Sequence, residues 1–523
     1  MFKYLVIFLL IHLYNGYKIL VYNPKLSHSH TQFTGKLADI LAENGHDVLV
    51  LQPLHNNILK SNGSKIAKIK QIKTTIPNEN IKKFNIEFEK GIWSTKSSNP
   101  LTFYRSLSRV FNLIKEDCKL IINSKELIEE LKNKKFDIGL VEHIAPCGFG
   151  LFKLLNIEKI VSCSAVGIKD NLYDEIGLEY ENSYVPSIYN TRGEIKNFID
   201  RIYNLGLYYV SIITSSFGFF GVSQEAFDES FDKNVYNLKK IYQNTSFTII
   251  NSHPLLDFPQ PTTSKILAIG GIGISKFKNL TLEYDQILNL RNKTVLVSFG
   301  SIVKASIMPN DTKIGMLNAF KMFPDTTFIW KYEEEDHWMN EKYTNVIPKK
   351  WIPQNDLLND NRLSLFITHG GLNSCLEIVH SGKVTITVPF FTDQYRNGHM
   401  LSRYNVTKLF MKNDLKDSNK FALIIKEMLE NNEYQSNAKR LKRMIKKFPD
   451  NSKEKLLKSF NFVGKFGHIN EIELPSKEMS YIELYNIDIY LILVIIINFG
   501  LYLIYVSTIK IIHLVKNSKI KND

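Results

Sequence analysis

A strand, a glycine turn and a helix start follow one another in the second half of the chain, and this order is typical of a phosphate site. Residues 363–368 form an apolar run, His369, Gly370 and Gly371 follow it, and a helix is predicted to begin at Asn373. Free backbone N–H groups at a helix start and the positive end of the helix dipole together favour a bound phosphate. The stretch therefore predicts a site for a nucleotide phosphate.

A histidine and a carboxylate lie near strand ends in the first half of the chain. His30 lies on the predicted loop between the apolar strand that begins after Tyr17 and an amphipathic helix over residues 31–44. Glu142 follows the predicted strand of residues 136–141. In an open parallel sheet the ligand crevice lies outside the carboxyl ends of the strands. We therefore expect both side chains at the crevice of this first half.

The stretch from Trp351 to Gln394 resembles the donor-binding signature of the UDP-glycosyltransferases. This family includes the membrane-bound UDP-glucuronosyltransferases, and the resemblance is to an invertebrate-like member of that type. The residues that carry the resemblance are Trp351, Gln354, His369, Gly370, Gly371, Asn373, Ser374, Glu377, Asp393 and Gln394.

The resemblance implies a role in donor binding for each of these side chains. Trp351 would stack on uracil with Gln354 beside it, and Glu377 would accept hydrogen bonds from the ribose hydroxyls. Asp393 and Gln394 would contact the sugar. The groups that would hold the diphosphate lie at the ends of two strands: Ser301, His369, Gly371, Asn373 and Ser374.

The resemblance also implies a catalytic pair. His30 matches the family's base, and only the family register favours it over His28, which has the same chemistry two residues earlier. Imidazole suits the role because its pKa lies near the working pH, but it needs an acceptor on its second nitrogen. Most relatives carry Asp where this chain has Glu142, so we expect the pair to form with a carboxylate one methylene longer.

The fold that the resemblance implies is α/β of the GT-B class, two Rossmann-like domains facing a cleft. We expect an acceptor-binding domain over residues 17–255, a linker over 256–285 and a UDP-sugar-binding domain with return helices over 286–480. Residues 55–115 are polar, lysine-rich and only weakly periodic. A chain of 523 residues is long enough for two such cores.

Neither a metal nor another cofactor is expected. No Asp-x-Asp motif stands beside an apolar strand, and a helix start can stabilise a departing phosphate without a metal. The acidic run at residues 333–337 is interpreted as a solvated turn. Four cysteines, Cys118, Cys147, Cys163 and Cys375, are too few and too dispersed for a disulfide framework. One incidental disulfide stays open.

Both ends of the sequence indicate a membrane protein. Residues 1–16 suit a signal peptide, and residues 489–509 are apolar over the length of a transmembrane helix. The basic tail, residues 510–523, predicts a cytosolic end with the bulk of the chain in the lumen. Its Lys519 and Lys521 resemble a dilysine signal for return to the endoplasmic reticulum. Six glycosylation sequons are compatible with this: Asn62, Asn244, Asn279, Asn292, Asn310 and Asn405.

The chain has 66 Lys and Arg against 52 Asp and Glu, a net charge of +14, but the lysines are scattered. Nucleic acid is therefore not an expected partner. Aromatic residues between Tyr203 and Phe220 fit an acceptor pocket, a membrane-facing surface or plain core equally well.

The predicted reaction is inverting transfer of glucuronic acid, or another hexose, from a UDP-sugar to a hydroxyl of a small lipophilic acceptor. Two alternatives stay open: a UDP-glucosyltransferase of the same family, and a membrane-anchored UDP-sugar-binding protein that has lost catalysis. The latter would serve active relatives as a partner. Assembly with copies of itself or with relatives is also compatible with the family.

Overall fold

The computed structural model describes residues 16–55, 59, 61–73, 78–93, 99–167, 170–233, 235–274, 277–334 and 337–520. The predicted signal peptide, apart from Gly16, lies outside these residues, as do Lys521 and part of the acidic run.

The first half of the chain builds a seven-stranded parallel sheet in the order β3-β2-β1-β4-β5-β6-β7. Its central strands contain continuous apolar runs, such as Ile19 to Tyr22 in β1, because helices cover both faces of a parallel sheet. The strands are β1 (Lys18–Tyr22), β2 (Asp47–Pro53), β3 (Lys68–Ile72), β4 (Ile138–Glu142), β5 (Lys159–Ser164), β6 (Phe247–Ile250) and β7 (Ile266–Ala268).

Ten helices accompany this sheet within the described residues. They are α1 (His28–Glu43), α2 (Asn78–Trp93), α3 (Pro100–Ser106), α4 (Ser108–Asn123), α5 (Lys125–Asn133), α6 (Cys147–Leu154), α7 (Asp170–Glu175), α8 (Phe198–Phe217), α9 (Phe219–Ser230) and α10 (Leu238–Gln243).

The second half builds a six-stranded parallel sheet in the order β10-β9-β8-β11-β12-β13. The strands are β8 (Lys293–Ser298), β9 (Thr326–Lys331), β10 (Val346–Lys349), β11 (Leu363–Thr368), β12 (Thr385–Thr387) and β13 (Thr407–Leu409). The helices around it are α11 (Leu282–Leu288), α12 (Asn310–Lys321), α13 (His337–Lys342), α14 (Gln354–Asn359), α15 (Leu372–Ser381), α16 (Asp393–Ser402), α17 (Ser418–Glu430), α18 (Asn432–Lys447) and α19 (Ser452–Phe466). Both halves are thus Rossmann-like units.

Two helices pack into the core of the opposite half. Leu456, Phe460 and Val463 of α19 are fully buried in the core that contains Ile19 of β1. In the other direction, Trp93 at the end of α2 lies edge-on to Phe299 and Phe390 in the second core. The sequence predicted that the last helices brace the first half, whereas the exchange by α2 was not predicted.

After α19 the chain passes through two 3-10 turns (Asn470–Ile472 and Pro475–Lys477) and the short helix α20 (Tyr481–Leu484) into α21 (Ile487–Ile520). α21 is apolar, exposed and long enough to cross a membrane. It begins close to the first half, because Tyr485 Oη donates a 2.6 Å hydrogen bond to Glu179.

Three local expectations change in the structure. His30 lies in the first turn of α1 instead of a loop, since the polar turn His28-Ser29-His30 carries no apolar periodicity to mark the helix start. The described part of the weakly periodic residues 55–115 includes β3, α2, α3 and the first half of α4. The open question of a disulfide is settled by a Cys118–Cys147 bond, while Cys163 and Cys375 are buried thiols.

Candidate active site

His30 and Glu142 form a hydrogen-bonded pair at the carboxyl edge of the first sheet. Their Nδ1 and Oε1 atoms lie 2.5 Å apart, with the histidine side chain 20% exposed and the carboxylate 5% exposed. The backbone N–H of Ala165 donates a second bond of 3.0 Å to the same oxygen and fixes it in place. A carboxylate on Nδ1 holds the proton there, so Nε2 is the nitrogen free to accept a proton. The arrangement is suited to general-base chemistry.

His28, the alternative base, has different surroundings. Its ring lies edge-on to the indole of Trp351, with ring centroids 6.1 Å apart, so it contacts the second half across the cleft. Burial lowers its pKa, and the charge of Lys331 adds to the effect. The carboxylate support found at His30 therefore distinguishes the two histidines.

The turn after β11 has the backbone that a phosphate site requires. Gly370 has φ = 81°, a conformation that favours glycine, and Gly371 is the N-cap of α15. Gly300 is also required, because a Cβ there would lie 2.6 Å from the ring of His369. The N–H groups at the start of α15 consequently stand beside the end of β8, where Ser301 is exposed.

His369 is neutral in this turn. Burial, together with the charge of Lys331, lowers its pKa to about 4. Among the described residues, nothing bonds to its buried Nδ1 atom. A neutral imidazole with an unused ring nitrogen can donate or accept one hydrogen bond from a ligand without adding charge.

Gln354, Ser374 and Glu377 form one polar cluster. Gln354 Nε2 donates to Ser374 Oγ at 3.1 Å and to Glu377 Oε2 at 2.6 Å. Burial raises the pKa of Glu377 to about 7, and the bond from Gln354 opposes this rise. Nearby Trp351 is 66% exposed. An aromatic surface and a carboxylate are thus available to a base and a ribose.

Asp393 and Gln394 begin α16 behind a strained residue. Thr392 has φ = 45°, which is unusual for a β-branched side chain. Asp393 accepts bonds from Thr392 Oγ1 at 3.0 Å and Asn397 Nδ2 at 2.8 Å. The Oε1 atom of Gln394 accepts the N–H of Phe390 at 2.9 Å, so its Nε2 group is the part that remains for a ligand. Strain of this kind is a frequent feature of ligand sites.

Asn251 was not predicted from the sequence, yet it links the two sites. It follows β6 and its Nδ2 group donates to Asn373 Oδ1 at 2.7 Å across the cleft. Its position directly after an apolar strand, as for Glu142, was the signal that would have identified it.

The predicted aromatic region forms α8 and α9, with the aromatic side chains divided between exposed and packed positions. Tyr208 stacks on Tyr180, whereas Tyr209 and Phe217 are 56% and 71% exposed. Three of the four side chains that α8 buries are polar (Asn204, Ser211 and Thr214, beside Leu207), and many of its apolar side chains are exposed, which is unusual for a surface helix. Together α8 and α9 are also long and apolar enough to qualify as a candidate membrane segment.

A protein-family model described as UDP-glucoronosyl and UDP-glucosyl transferase matches residues 17–519. The chain belongs to this family. It is 28% identical to "Putative UDP-glucuronosyltransferase ugt-50" of Caenorhabditis elegans over 93% of this chain and 94% of that protein. It is 31% identical to "Putative UDP-glucuronosyltransferase ugt-55" of the same organism, over 79% and 80% respectively.

The fold has a counterpart among solved structures. The glycotransferase of kitacinnamycin superposes with a TM-score of 0.57 at 12% identity, covering 86% of this chain and 98% of that one. At this identity the likeness concerns the fold alone. The predicted GT-B fold and the predicted family are thereby confirmed, and this protein is a glycosyltransferase that uses a UDP-sugar.

Proposed function

We propose that this enzyme transfers glucuronic acid from UDP-glucuronic acid to a hydroxyl of a small lipophilic acceptor, with inversion at the anomeric carbon. The hydrogen-bonded pair of His30 and Glu142, opposite the phosphate turn before α15, is the observation that carries the proposal. A UDP-glucosyl donor is the alternative, since the family description names both sugars.

In the proposed step, His30 Nε2 takes the proton of the acceptor hydroxyl. The acceptor oxygen attacks the anomeric carbon of the α-linked donor as the bond from that carbon to the UDP oxygen breaks. The products are a β-glycoside and UDP. Glu142 stabilises the imidazolium that forms, because an ionised carboxylate holds a charged donor more strongly than a neutral acceptor does.

UDP would lie along the second half of the cleft. Trp351 would stack on uracil, Glu377 would accept the ribose hydroxyls, and the start of α15 would take the developing negative charge of the diphosphate. A helix start supplies positive potential and N–H donors without a metal, so we propose a reaction that needs no cofactor. In the described part of the chain no three His, Cys, Asp or Glu side chains are arranged to hold a metal ion.

We also propose that α21 anchors the enzyme in the endoplasmic reticulum membrane, with both halves in the lumen and the tail in the cytosol. The length and exposure of α21 support the anchor. α8 lies near the start of α21, since Tyr208 bonds to Asp174 and stacks on Tyr180, which is next to Glu179, the partner of Tyr485. α8 would rest on the bilayer.

The test is a turnover assay with radiolabelled UDP-glucuronic acid and UDP-glucose and a generic phenol. We expect product from UDP-glucuronic acid, and loss of turnover in His30→Ala while UDP still binds. Binding without product for every donor and a broad acceptor panel would favour the non-catalytic alternative. Full activity in His30→Ala would show that another group is the base.

A further inference from the structure

Asn251 connects the two halves of the cleft through a single amide group. Its Nδ2 atom donates to the backbone oxygen of Ala165 at 3.0 Å in the first half and to Asn373 Oδ1 at 2.7 Å in the second. The side chain is 2% exposed, so water does not compete for either bond. An amide whose two N–H groups both donate hydrogen bonds is held in one position.

The bond to Ala165 fixes which way both amides face. A backbone carbonyl only accepts, so Asn251 must present its NH2 group to Ala165 and therefore also to Asn373. Asn373 must then present its carbonyl oxygen to Asn251. Its own NH2 group is left for another acceptor, at the second residue of α15, where the backbone already offers N–H groups.

The same contacts lead back to the base. The N–H of Ala165 donates to Glu142 Oε1 at 3.0 Å, and that oxygen bonds to His30 at 2.5 Å. Glu142, Ala165 and Asn251 lie at the carboxyl ends of three neighbouring strands, β4, β5 and β6. One hydrogen-bonded path therefore runs from the base to the phosphate turn.

We propose that Asn251 is a positioning residue of the transfer reaction: it turns the NH2 group of Asn373 toward the diphosphate when the halves are closed. The proposal rests on the donor site proposed above. Asn251 itself touches neither donor nor acceptor in this account and acts through Asn373.

UDP binding, measured by calorimetry on the full chain in detergent, tests the proposal. In Asn251→Ala, Asn373 is free to turn either way, and we expect UDP to bind about tenfold more weakly. In Asn251→Asp, which has the same shape, the carboxylate attracts the NH2 group of Asn373 and turns its carbonyl toward the phosphates. We expect Asn251→Asp to bind UDP about 100-fold more weakly than the wild type, although aspartate matches asparagine in size better than alanine does.

A double-mutant cycle separates positioning from mere stability. Once Asn373 is alanine, the further change Asn251→Ala is expected to alter the UDP affinity less than about twofold. KM for the UDP-sugar should rise in Asn251→Ala while KM for the acceptor stays constant. Asn345→Ala is the matched control, because Asn345 Nδ2 also donates two hydrogen bonds, to the backbone oxygens of Phe320 and Phe323, and none of these residues is part of the proposed donor site. It should lower the melting temperature and leave UDP affinity unchanged.

Each outcome is decisive. The positioning role would be overturned if Asn251→Asp bound UDP as tightly as the wild type does. It would also be overturned if the losses of UDP affinity in the Asn251 and Asn373 single variants simply multiplied in the double variant. If the wild-type protein fails to bind UDP, the donor site itself is wrong, and the two failures are thereby distinguished. Melting temperatures with and without UDP confirm that each variant is folded.

Discussion

Replacing Glu142 by aspartate puts into this chain the residue that the family resemblance implies at this position, and the structure predicts that activity will fall. Glu142 is the last residue of β4, whose backbone is held between β1 and β5. The side chain is 5% exposed. The backbone therefore has little freedom to move and compensate for a shorter side chain.

The size of the effect follows from the 2.5 Å between His30 Nδ1 and Glu142 Oε1. Removing one methylene withdraws the carboxylate by about 1.5 Å, which leaves a gap of about 4 Å, outside hydrogen-bonding range. Hydrogen bonds to charged groups contribute about 1.5–3 kcal/mol. If that amount is lost from stabilisation of the imidazolium, kcat falls by about 10- to 100-fold.

The assay is kcat at saturating UDP-glucuronic acid and phenol, together with UDP affinity. Glu142→Asp should lower kcat and leave UDP affinity within about twofold, because the carboxylate lies on the acceptor side. Glu142→Gln keeps the length and removes the charge, so it should also lower kcat. Wild-type kcat in Glu142→Asp would refute the reasoning, because it would show that the separation seen here does not govern catalysis.

Four further results are expected. Ribose hydroxyls donate best to an ionised carboxylate, so UDP-sugar affinity, measured by calorimetric titration, should rise between about pH 6 and pH 8 as Glu377 loses its proton. In Glu377→Gln the affinity should no longer depend on pH in this range. In the protein without ligand, the pH acts on stability in the opposite direction. Because the pKa of Glu377 is raised in the folded protein, the free energy of unfolding falls as the pH rises from about 4.5 to about 7, and melting curves measure this fall. Arg396→Met leaves the carboxylate of Asp257, 2.7 Å from the guanidinium, buried without its partner, and should cost about 3–5 kcal/mol in denaturant unfolding. A chain truncated before α21 should still float with liposomes, because α8 would bind the bilayer. The substitutions Ile202→Ser and Tyr209→Ser in this truncated chain should abolish flotation. Equal flotation of the truncated chain with and without the two substitutions would contradict the proposed contact.

Much of the donor side could be predicted because its signals are local in sequence. The apolar run of β11, the two glycines and the start of α15 occupy consecutive positions, and the structure places them as expected. Roles of individual side chains there remain predictions, although Gln354 and Glu377 do meet in one cluster.

The acceptor side was harder because its signals are not local. His30 and Glu142 are separated by 112 positions, and only the family resemblance joined them before the structure showed the contact. The disulfide between Cys118 and Cys147 depends on how α4 and α6 pack, which no spacing rule gives. Asn251 was missed for a similar reason, since its contact with Asn373 forms only when the two halves face each other.

The exchange of α19 has a consequence for how the protein is made. Leu456, Phe460 and Val463 complete the first core, yet the ribosome reaches them roughly 190 residues after β7 has been made. At about 5–20 residues per second, the face of the first sheet that they cover stays open for about 10–40 s. The nascent first half therefore has an exposed apolar surface during this time, and its folding is completed only when synthesis is almost finished.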